Sequence, residues 1–363
     1  MTLTHDDRRA EGRAATLRMI DSDGARVAGT PYPTDLDAQQ LWQLLAAMRL
    51  TRRLDEELIN LQRQGQLALF PSCRGQEAAQ VGTAAALRPD DWTFPQYREL
   101  GVFVVKGIDP AGVGHMWRGT LHGGLGFVER CCAPITIPIG SHALHAVGYA
   151  LGLRLDGSDG VAVAYVGDGA TSEGDVHEAL NMAAVMEVPC IFVIQNNHWA
   201  ISVPLAEQTR VTRLADKAAA YGMPGVRCDG NDVLACSTAM EQAVDRARRG
   251  LGPSLIEAVT YRMGAHTTSD DPTRYRSDSE VREWARLDPI ERLQRHLVLE
   301  GKWLPEEDVR SREAAEEAAH RLRAALFDAP PPDPLVIFDH VLSSVGPALD
   351  EQRRQLAAEI AER

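Results

Sequence analysis

The chain has 363 residues, 44% of them hydrophobic, with 38 Lys and Arg against 51 Asp and Glu and a formal net charge of −13. That size and apolar content suit a large globular body and exclude a disordered or fibrous chain, while the negative balance argues against nucleic acid or an anionic membrane surface as a general partner. No apolar run approaches the roughly 18 residues of a membrane span, and the opening MTLTHDDRRAEGRAA lacks the apolar centre of a signal peptide, so a cytoplasmic protein is expected.

In chain order, residues 1–34 are polar and read as an extension that orders on a partner. Leu41, Leu44, Leu45, Met48, Leu54, Leu58 and Leu61 recur at helical spacing and Gly65 follows them, which predicts an amphipathic helix over 35–64, broken once. GQEAAQVGTAAAL (75–87) predicts a second helix with small residues for close packing. Residues 88–126 are rich in aromatic, glycine and basic residues, as ligand-facing loops are. Regular alternation starts near Ser141: helix 141–155, strand 161–166, helix 173–187, strand 190–195, helix 209–221, strand 225–228, helix 232–249 and strand 254–260. Such alternation builds an α/β fold with a largely parallel sheet. After Tyr275 the pattern is charged and helical, interrupted by the proline run at 329–334. The expected division is a polar extension (1–34), an α/β domain (35–277) and a helical C-terminal region (278–363). The cysteines (Cys73, Cys131, Cys132, Cys190, Cys228, Cys236) lack zinc or C-x-x-C spacing and read as buried or partly buried thiols.

The chemistry concentrates where two of those strands end. VAVAYV (161–166) runs into Gly167-Asp168-Gly169, and CIFVIQ (190–195) into Asn196-Asn197. A crossover helix between parallel strands leaves both ends side by side at the carboxyl edge, where open α/β sheets bind ligands. Magnesium takes oxygen ligands and shares them with phosphates. Asp168 offers a carboxylate, Asn197 an amide oxygen and Trp199 a backbone carbonyl. Gly167 and Gly169 permit a tight turn and close approach of phosphates, and the helix opening near Ser172-Glu173 presents free N–H groups. A G-D-G after a strand is by itself a common turn; the second strand ending in N-N at this distance makes it a diphosphate and magnesium site.

This pairing resembles the signature of thiamin diphosphate (ThDP) enzymes. RQGQLALFPSCRGQEAAQVG (63–82), FPQYREL (94–100), WRGTLHGG (117–124), PIGSHALHAVG (138–148), GDGATSEGDVHEALN (167–181), QNNHWAIS (195–202) and YRMGAHTTSDDPTRYRS (261–277) are similar to the α subunit of the decarboxylating component of 2-oxo acid dehydrogenase complexes. The likeness runs from about residue 30 to the C-terminus. It implies a three-layer α/β/α ThDP-binding fold with helical N- and C-terminal appendages, and oxidative decarboxylation of a 2-oxo acid with acyl transfer to lipoyl groups. It also implies ThDP and Mg²⁺ as cofactors, with K⁺ near Thr136, Pro138 and Ser141 as in some relatives.

The same resemblance assigns roles. Asp168, Asn197 and the Trp199 carbonyl would ligate Mg²⁺, with Gly167, Gly169 and Ala170 against the diphosphate; many relatives carry tyrosine at Trp199, a change that a backbone ligand tolerates. Tyr97 and Arg98 would contact the diphosphate, as their donors suit, and Ile139 the aminopyrimidine. His266, beside Arg262, would be the acid–base residue, its ordinary pKa of about 6.5 suiting exchange near neutrality, and His266 and Arg262 would both also contact the cofactor. His142 adjoins the cofactor segment as a lesser candidate. The glutamate that activates ThDP normally stands on a second α/β domain, and this chain has room for one such domain. A β subunit in an α₂β₂ heterotetramer is therefore implied, docked on a lipoyl-bearing dihydrolipoyl acyltransferase core. CRGQEAAQVG, HTTSDDPTRYRS and DGNDV (229–233) are similar to enzymes acting on branched-chain 2-oxo acids such as 3-methyl-2-oxobutanoate, with pyruvate enzymes second. Alternatives are an acetoin-cleaving or transketolase-like ThDP enzyme, or a non-catalytic subunit. The polar 264–276 loop is expected to be mobile without cofactor.

Overall fold

The computed structural model describes residues 15–30, 36–120, 126–331, 333–339 and 341–362. Positions 1–14 and 31–34 of the expected extension, the LHGG end of WRGTLHGG and Pro332 of the proline run lie outside the described residues. The elements follow in chain order as α1 (Ala38–Arg63), α2 (Glu77–Ala85), β1 (Trp92–Phe94), α3 (Leu100–Lys106), α4 (Pro110–Arg118), α5 (Ser141–Leu155), β2 (Ala162–Gly167), α6 (Gly174–Val185), β3 (Cys190–Asn196), β4 (Trp199–Ala200), β5 (Val203–Pro204) and α7 (Leu205–Gln208). There follow β6 (Gly225–Asp229), α8 (Val233–Arg248), β7 (Ser254–Val259), α9 (Asp278–Ala285), α10 (Pro289–Leu299), α11 (Pro305–Phe327) and α12 (Pro347–Ala361).

Among the described residues one parallel sheet runs in the order β1-β2-β3-β7-β6. Successive side chains of a strand point to opposite faces, and the core divides accordingly. Val163, Tyr165, Ile191, Val193 and Ile256 pack in one cluster with residues of α1, α2, α8 and α10. Ala162, Ala164, Val166, Phe192 and Ile194 pack in another with residues of α5 and α6. Helices cover both faces, so the central strands read as unbroken apolar runs. This is the three-layer α/β/α arrangement expected. No helix among the described residues is long and apolar enough to cross a membrane.

Differences from the sequence reading have local causes. α1 is continuous rather than broken, and Asp37 starts it with a capping box in which Asp37 and Gln40 exchange side-chain hydrogen bonds. Residues 88–126 are not simply loops. They contain β1, too short to show a period, and the helices α3 and α4, which end at Gly107 and Gly119 in left-handed conformation. The helix expected over 209–221 is a 3₁₀ segment, Leu214–Tyr221. Part of the N-terminal extension orders on the chain itself: the Leu17 amide donates to the Arg227 carbonyl at 2.8 Å, and the Asp229 amide donates to the Leu17 carbonyl at 2.9 Å. The amides of Met19 and Ile20 both donate to one oxygen of the buried Asp232, at 2.7 and 2.8 Å. At the other end of the chain, Ala318, Leu322 and Leu326 of α11 share a core with Leu54, Leu58 and Leu61 of α1. The six cysteines are free; five are buried and Cys131 is half-buried.

Candidate active site

Gly167 of β2 is paired with Gln195 of β3, so the two motifs leave the middle of the sheet as neighbours. Between them and the 96–99 segment opens a cleft of about 350 Å³. Tyr97, Arg98, Ile139, the Gly167–Ala170 turn, Asn197, Trp199 and His266 all line it. Arg262 lies behind that lining, fully buried.

One wall is built from strand ends. Asp168 is buried, and one carboxylate oxygen accepts from Gln208 Nε2 at 3.1 Å. Burial pushes its carboxyl up to about 6, against the smaller opposing pull of that hydrogen bond. A cation against Asp168 would offset the cost of keeping it ionised out of water. The Asp168 carbonyl accepts from the Thr171 amide at 3.1 Å and the Thr171 hydroxyl at 2.8 Å, which fixes the turn. Asn197 Oδ1 accepts from the Trp199 amide at 3.2 Å. His198 and Ile201, with φ of 71° and 55°, bracket Trp199-Ala200. Left-handed backbone is costly for a β-branched residue such as Ile201, and strain of this kind gathers at functional turns. The two glycines differ in kind. A Cβ on Gly169 would lie 2.6 Å from the Ala200 Cβ, whereas one on Gly167 would meet nothing within 4 Å. Gly169 thus serves packing, and Gly167 leaves the cleft open.

These groups suit magnesium. Among the described residues no three His, Cys, Asp or Glu side chains converge as transition metals require. One carboxylate with neutral oxygens, and room for phosphate, is the donor set of a hard cation. The Trp199 carbonyl already accepts from Arg262 Nη1 at 3.2 Å, but a carbonyl has a second lone pair.

The opposite wall handles charge and protons. Arg98 Nη2 donates to the His266 carbonyl at 2.9 Å and lies 3.2 Å from His266 Nδ1, while Arg262 Nη1 lies 3.3 Å from the same nitrogen. A guanidinium only donates, so Nδ1 is the acceptor and Nε2 carries the proton. Burial, followed by the charges of Arg98 and Arg262, lowers His266 to about 3; the ring is neutral at physiological pH. Burial lowers Arg262 to about 10, with Arg98 adding to the effect. Arg262 Nη2 reaches the Ile201 carbonyl at 2.6 Å and the Tyr275 hydroxyl at 2.9 Å, which ties the strained turn to the histidine loop. That loop is held in turn by Asp270, which accepts from the His266 amide at 2.8 Å.

Other expected residues fall elsewhere. His142 is buried under β2 and donates from Nε2 to the Tyr165 carbonyl at 2.7 Å, a core role. The Ser141 hydroxyl donates to the Pro138 carbonyl at 2.9 Å, and the Thr136 amide to the Gln96 carbonyl at 2.7 Å. The sequence reading missed a polar tie in the cleft, where Glu99 and Gln195 belong to the lining and Gln80 does not. Gln195 Nε2 donates to Glu99 at 2.7 Å, and Gln80 Nε2 donates to Gln195 Oε1 at 2.8 Å and to the Arg98 carbonyl at 2.9 Å. Burial raises Glu99 to about 7. Glu99 directly follows Tyr97-Arg98 and Gln195 directly precedes Asn196-Asn197, which is the signal that could have found them.

A parallel sheet whose neighbouring β2 and β3 ends open into a cleft, facing a histidine between arginines, has the form of an enzyme site. Residues 46–335 match the family described as the dehydrogenase E1 component, and the chain belongs to it. It is 55% identical to the 3-methyl-2-oxobutanoate dehydrogenase subunit alpha of Mycobacterium tuberculosis, over 95% of this chain and 94% of that one. It is 40% identical to the pyruvate dehydrogenase E1 component subunit alpha of Staphylococcus aureus, over 86% and 84%. To the corresponding subunit of Acholeplasma laidlawii it is 38% identical, over 92% and 96%.

Proposed function

We propose that the chain is the α subunit of a branched-chain 2-oxo acid dehydrogenase, which decarboxylates 3-methyl-2-oxobutanoate and its kin and passes the acyl group to lipoyl groups. The observation that carries this is the convergence of Asp168, Asn197, Arg98 and His266 on one cleft, in a chain whose 55% identical relative bears that activity in its name. The proposal includes an α₂β₂ assembly, a lipoyl-bearing acyltransferase partner and a cytoplasmic location.

When bound, thiamin diphosphate supplies the electron sink that lets a 2-oxo acid lose CO₂. Asp168, Asn197 and the Trp199 carbonyl would hold Mg²⁺, and Arg98 and Tyr97 would hold the diphosphate beside Gly167, Gly169 and Ala170. Arg98 now donates to the His266 carbonyl, so an anion in the cleft competes for its guanidinium and bears on the position of His266. Burial, aided by the two arginines, keeps His266 neutral, and the arginines point its single N–H away from them. A neutral imidazole of that tautomer donates a hydrogen bond to a substrate oxygen without adding charge. Ile139 and Trp199 line the cleft with apolar surface and restrict water. The activating glutamate is assigned to the β subunit. K⁺ at Thr136, Pro138 and Ser141 is part of the proposal, and turnover in Na⁺ equal to that in K⁺ would remove it.

The test is turnover by this chain co-expressed with a β-type subunit. It should depend on ThDP and Mg²⁺, and kcat/KM should favour 3-methyl-2-oxobutanoate over pyruvate. A pyruvate preference would replace the substrate, in line with the relatives at 40% and 38% identity. Decarboxylation by the α chain alone would overturn the two-subunit site.

A further inference from the structure

Gln76 occupies the N-cap position of α2 yet makes no capping hydrogen bond with its side chain. Helix starts favour short polar side chains that cap, so this residue is serving something else. It is 1% exposed and lines the cleft. Its Oε1 accepts from Asn197 Nδ2 at 3.2 Å, and its Nε2 is buried with no hydrogen-bond partner among the described residues. Amide oxygen and nitrogen can exchange places in a structure, but here a main-chain group fixes both. The Trp199 amide can only donate, and it donates to Asn197 Oδ1. Asn197 therefore turns Nδ2 towards Gln76, Gln76 answers with its oxygen, and its nitrogen is left over. An unsatisfied buried donor is rare in a folded protein and calls for an explanation.

We infer that Gln76 is a positioning and ligand-binding residue of the diphosphate end of the cleft: its oxygen orients Asn197 for the metal, and its free N–H₂ donates to an anionic oxygen of the bound ligand. The inference rests on the proposed function and extends it to a residue that the motifs leave out. Asn197 must present an oxygen to a cation while its own nitrogen is held, and Gln76 is the partner that holds it. The leftover donor then stands beside the metal position, where the phosphate oxygens of a magnesium-bound diphosphate would lie.

Gln76→Glu retains shape and the acceptor for Asn197 but replaces the donor with an anionic oxygen. In the αβ complex, affinity for inorganic pyrophosphate with Mg²⁺, read by calorimetry or by quenching of Trp199, should fall about tenfold to a hundredfold near neutral pH. KM for ThDP should rise more than kcat falls. A protonated carboxyl regains a donor, and burial at this position favours the protonated form as it does for Asp168 and Glu99, so the defect relative to wild type should shrink as pH falls below neutrality. Wild type measured over the same range removes the titration of Asp168, Glu99 and His266, which share the cleft. Gln76→Met, of similar length and without polar atoms, should lose affinity at every pH, and it keeps the test open should the first variant fail to assemble. Unchanged pyrophosphate affinity in both variants would overturn the inference alone. A wild-type complex that binds neither pyrophosphate nor ThDP would overturn the cofactor reading and this inference with it.

Discussion

Asp168 and Asn197 stand just past the ends of β2 and β3, placed by main-chain register. Across the cleft, Arg98 comes from one segment and Arg262 and His266 from another, and the two arginines hold the wall together through long side chains that bond to carbonyls. The first wall sits on a sheet buried on both faces, and its geometry is set before any ligand arrives. The second wall depends on side-chain contacts that an anion can exchange for its own. Under the proposed function these walls divide the labour: the strand-end wall would anchor the cofactor, and the side-chain wall would respond to its presence.

The sharpest break in this comparison is Asp168→Ala. Cofactor-dependent turnover should fall by at least about a hundredfold through lost metal binding, since even outer partners of metal ligands cost 10–100-fold. Thermal stability without cofactor should hold or rise above about pH 6, because burial holds this carboxyl up at about 6 and its ionised form is costly. A large fall in cofactor-free stability would show that the strand-end wall depends on this carboxylate for folding. His266→Asn probes the other wall. Turnover should fall about 10²–10³-fold, the usual cost of removing one hydrogen-bond donor to a reacting oxygen, with ThDP affinity nearly unchanged in calorimetry. A loss confined to ThDP affinity would make His266 a binding residue instead.

The two walls also differ in how far the sequence discloses them. The strands 161–166 and 190–195 are apolar runs with G-D-G and N-N directly behind them, and a parallel crossover leaves those ends no other place to go. Their layer, and the meeting of the two strand ends at one cleft, were therefore legible from residue order. β1 was not, because three residues on a sheet edge show no period, and neither was the 3₁₀ segment Leu214–Tyr221, whose alanines suit an α-helix equally well. The ordering of residues 15–20 rests on partners more than 200 positions away along the chain, among them the buried Asp232 carboxylate and the backbone of Arg227 and Asp229. Glu99, Gln195, Gln80 and Gln76 were missed for the same reason. Their roles rest on contacts between distant segments; adjacency to the motifs could have flagged Glu99 and Gln195, whereas Gln76 and Gln80 sit in the GQEAAQVG helix stretch with nothing local to mark them.

A finer contrast sits inside the rigid wall. Gly169→Ala would drive a methyl to 2.6 Å from the Ala200 Cβ, so it should cost about 1–3 kcal/mol of stability by overpacking and weaken magnesium binding by displacing Trp199-Ala200. Gly167→Ala meets open space. It should leave stability nearly unchanged, and it should raise KM for ThDP because the methyl enters the cleft. Equal unfolding midpoints for the two variants would contradict the separate duties assigned to these glycines.

The smallest effect is a pH dependence, and its sign separates the walls. His266 is depressed to about 3 by burial and by Arg98 and Arg262, so the stability linked to it is present above the unfolded value of about 6.5 and is lost as pH falls towards 3. Asp168 is raised to about 6 and Glu99 to about 7, both chiefly by burial. Their contribution is present below the unfolded range of about 4 and is lost as pH rises through 6 to 7. Cofactor-free protein carrying His266→Asn should therefore lose less stability than wild type between about pH 6.5 and 4, with the two curves parallel above about pH 7. Denaturant unfolding of both proteins across that range measures the difference. Parallel curves throughout would mean that His266 is free to protonate in the folded state, and that Arg98 and Arg262 do not hold it neutral.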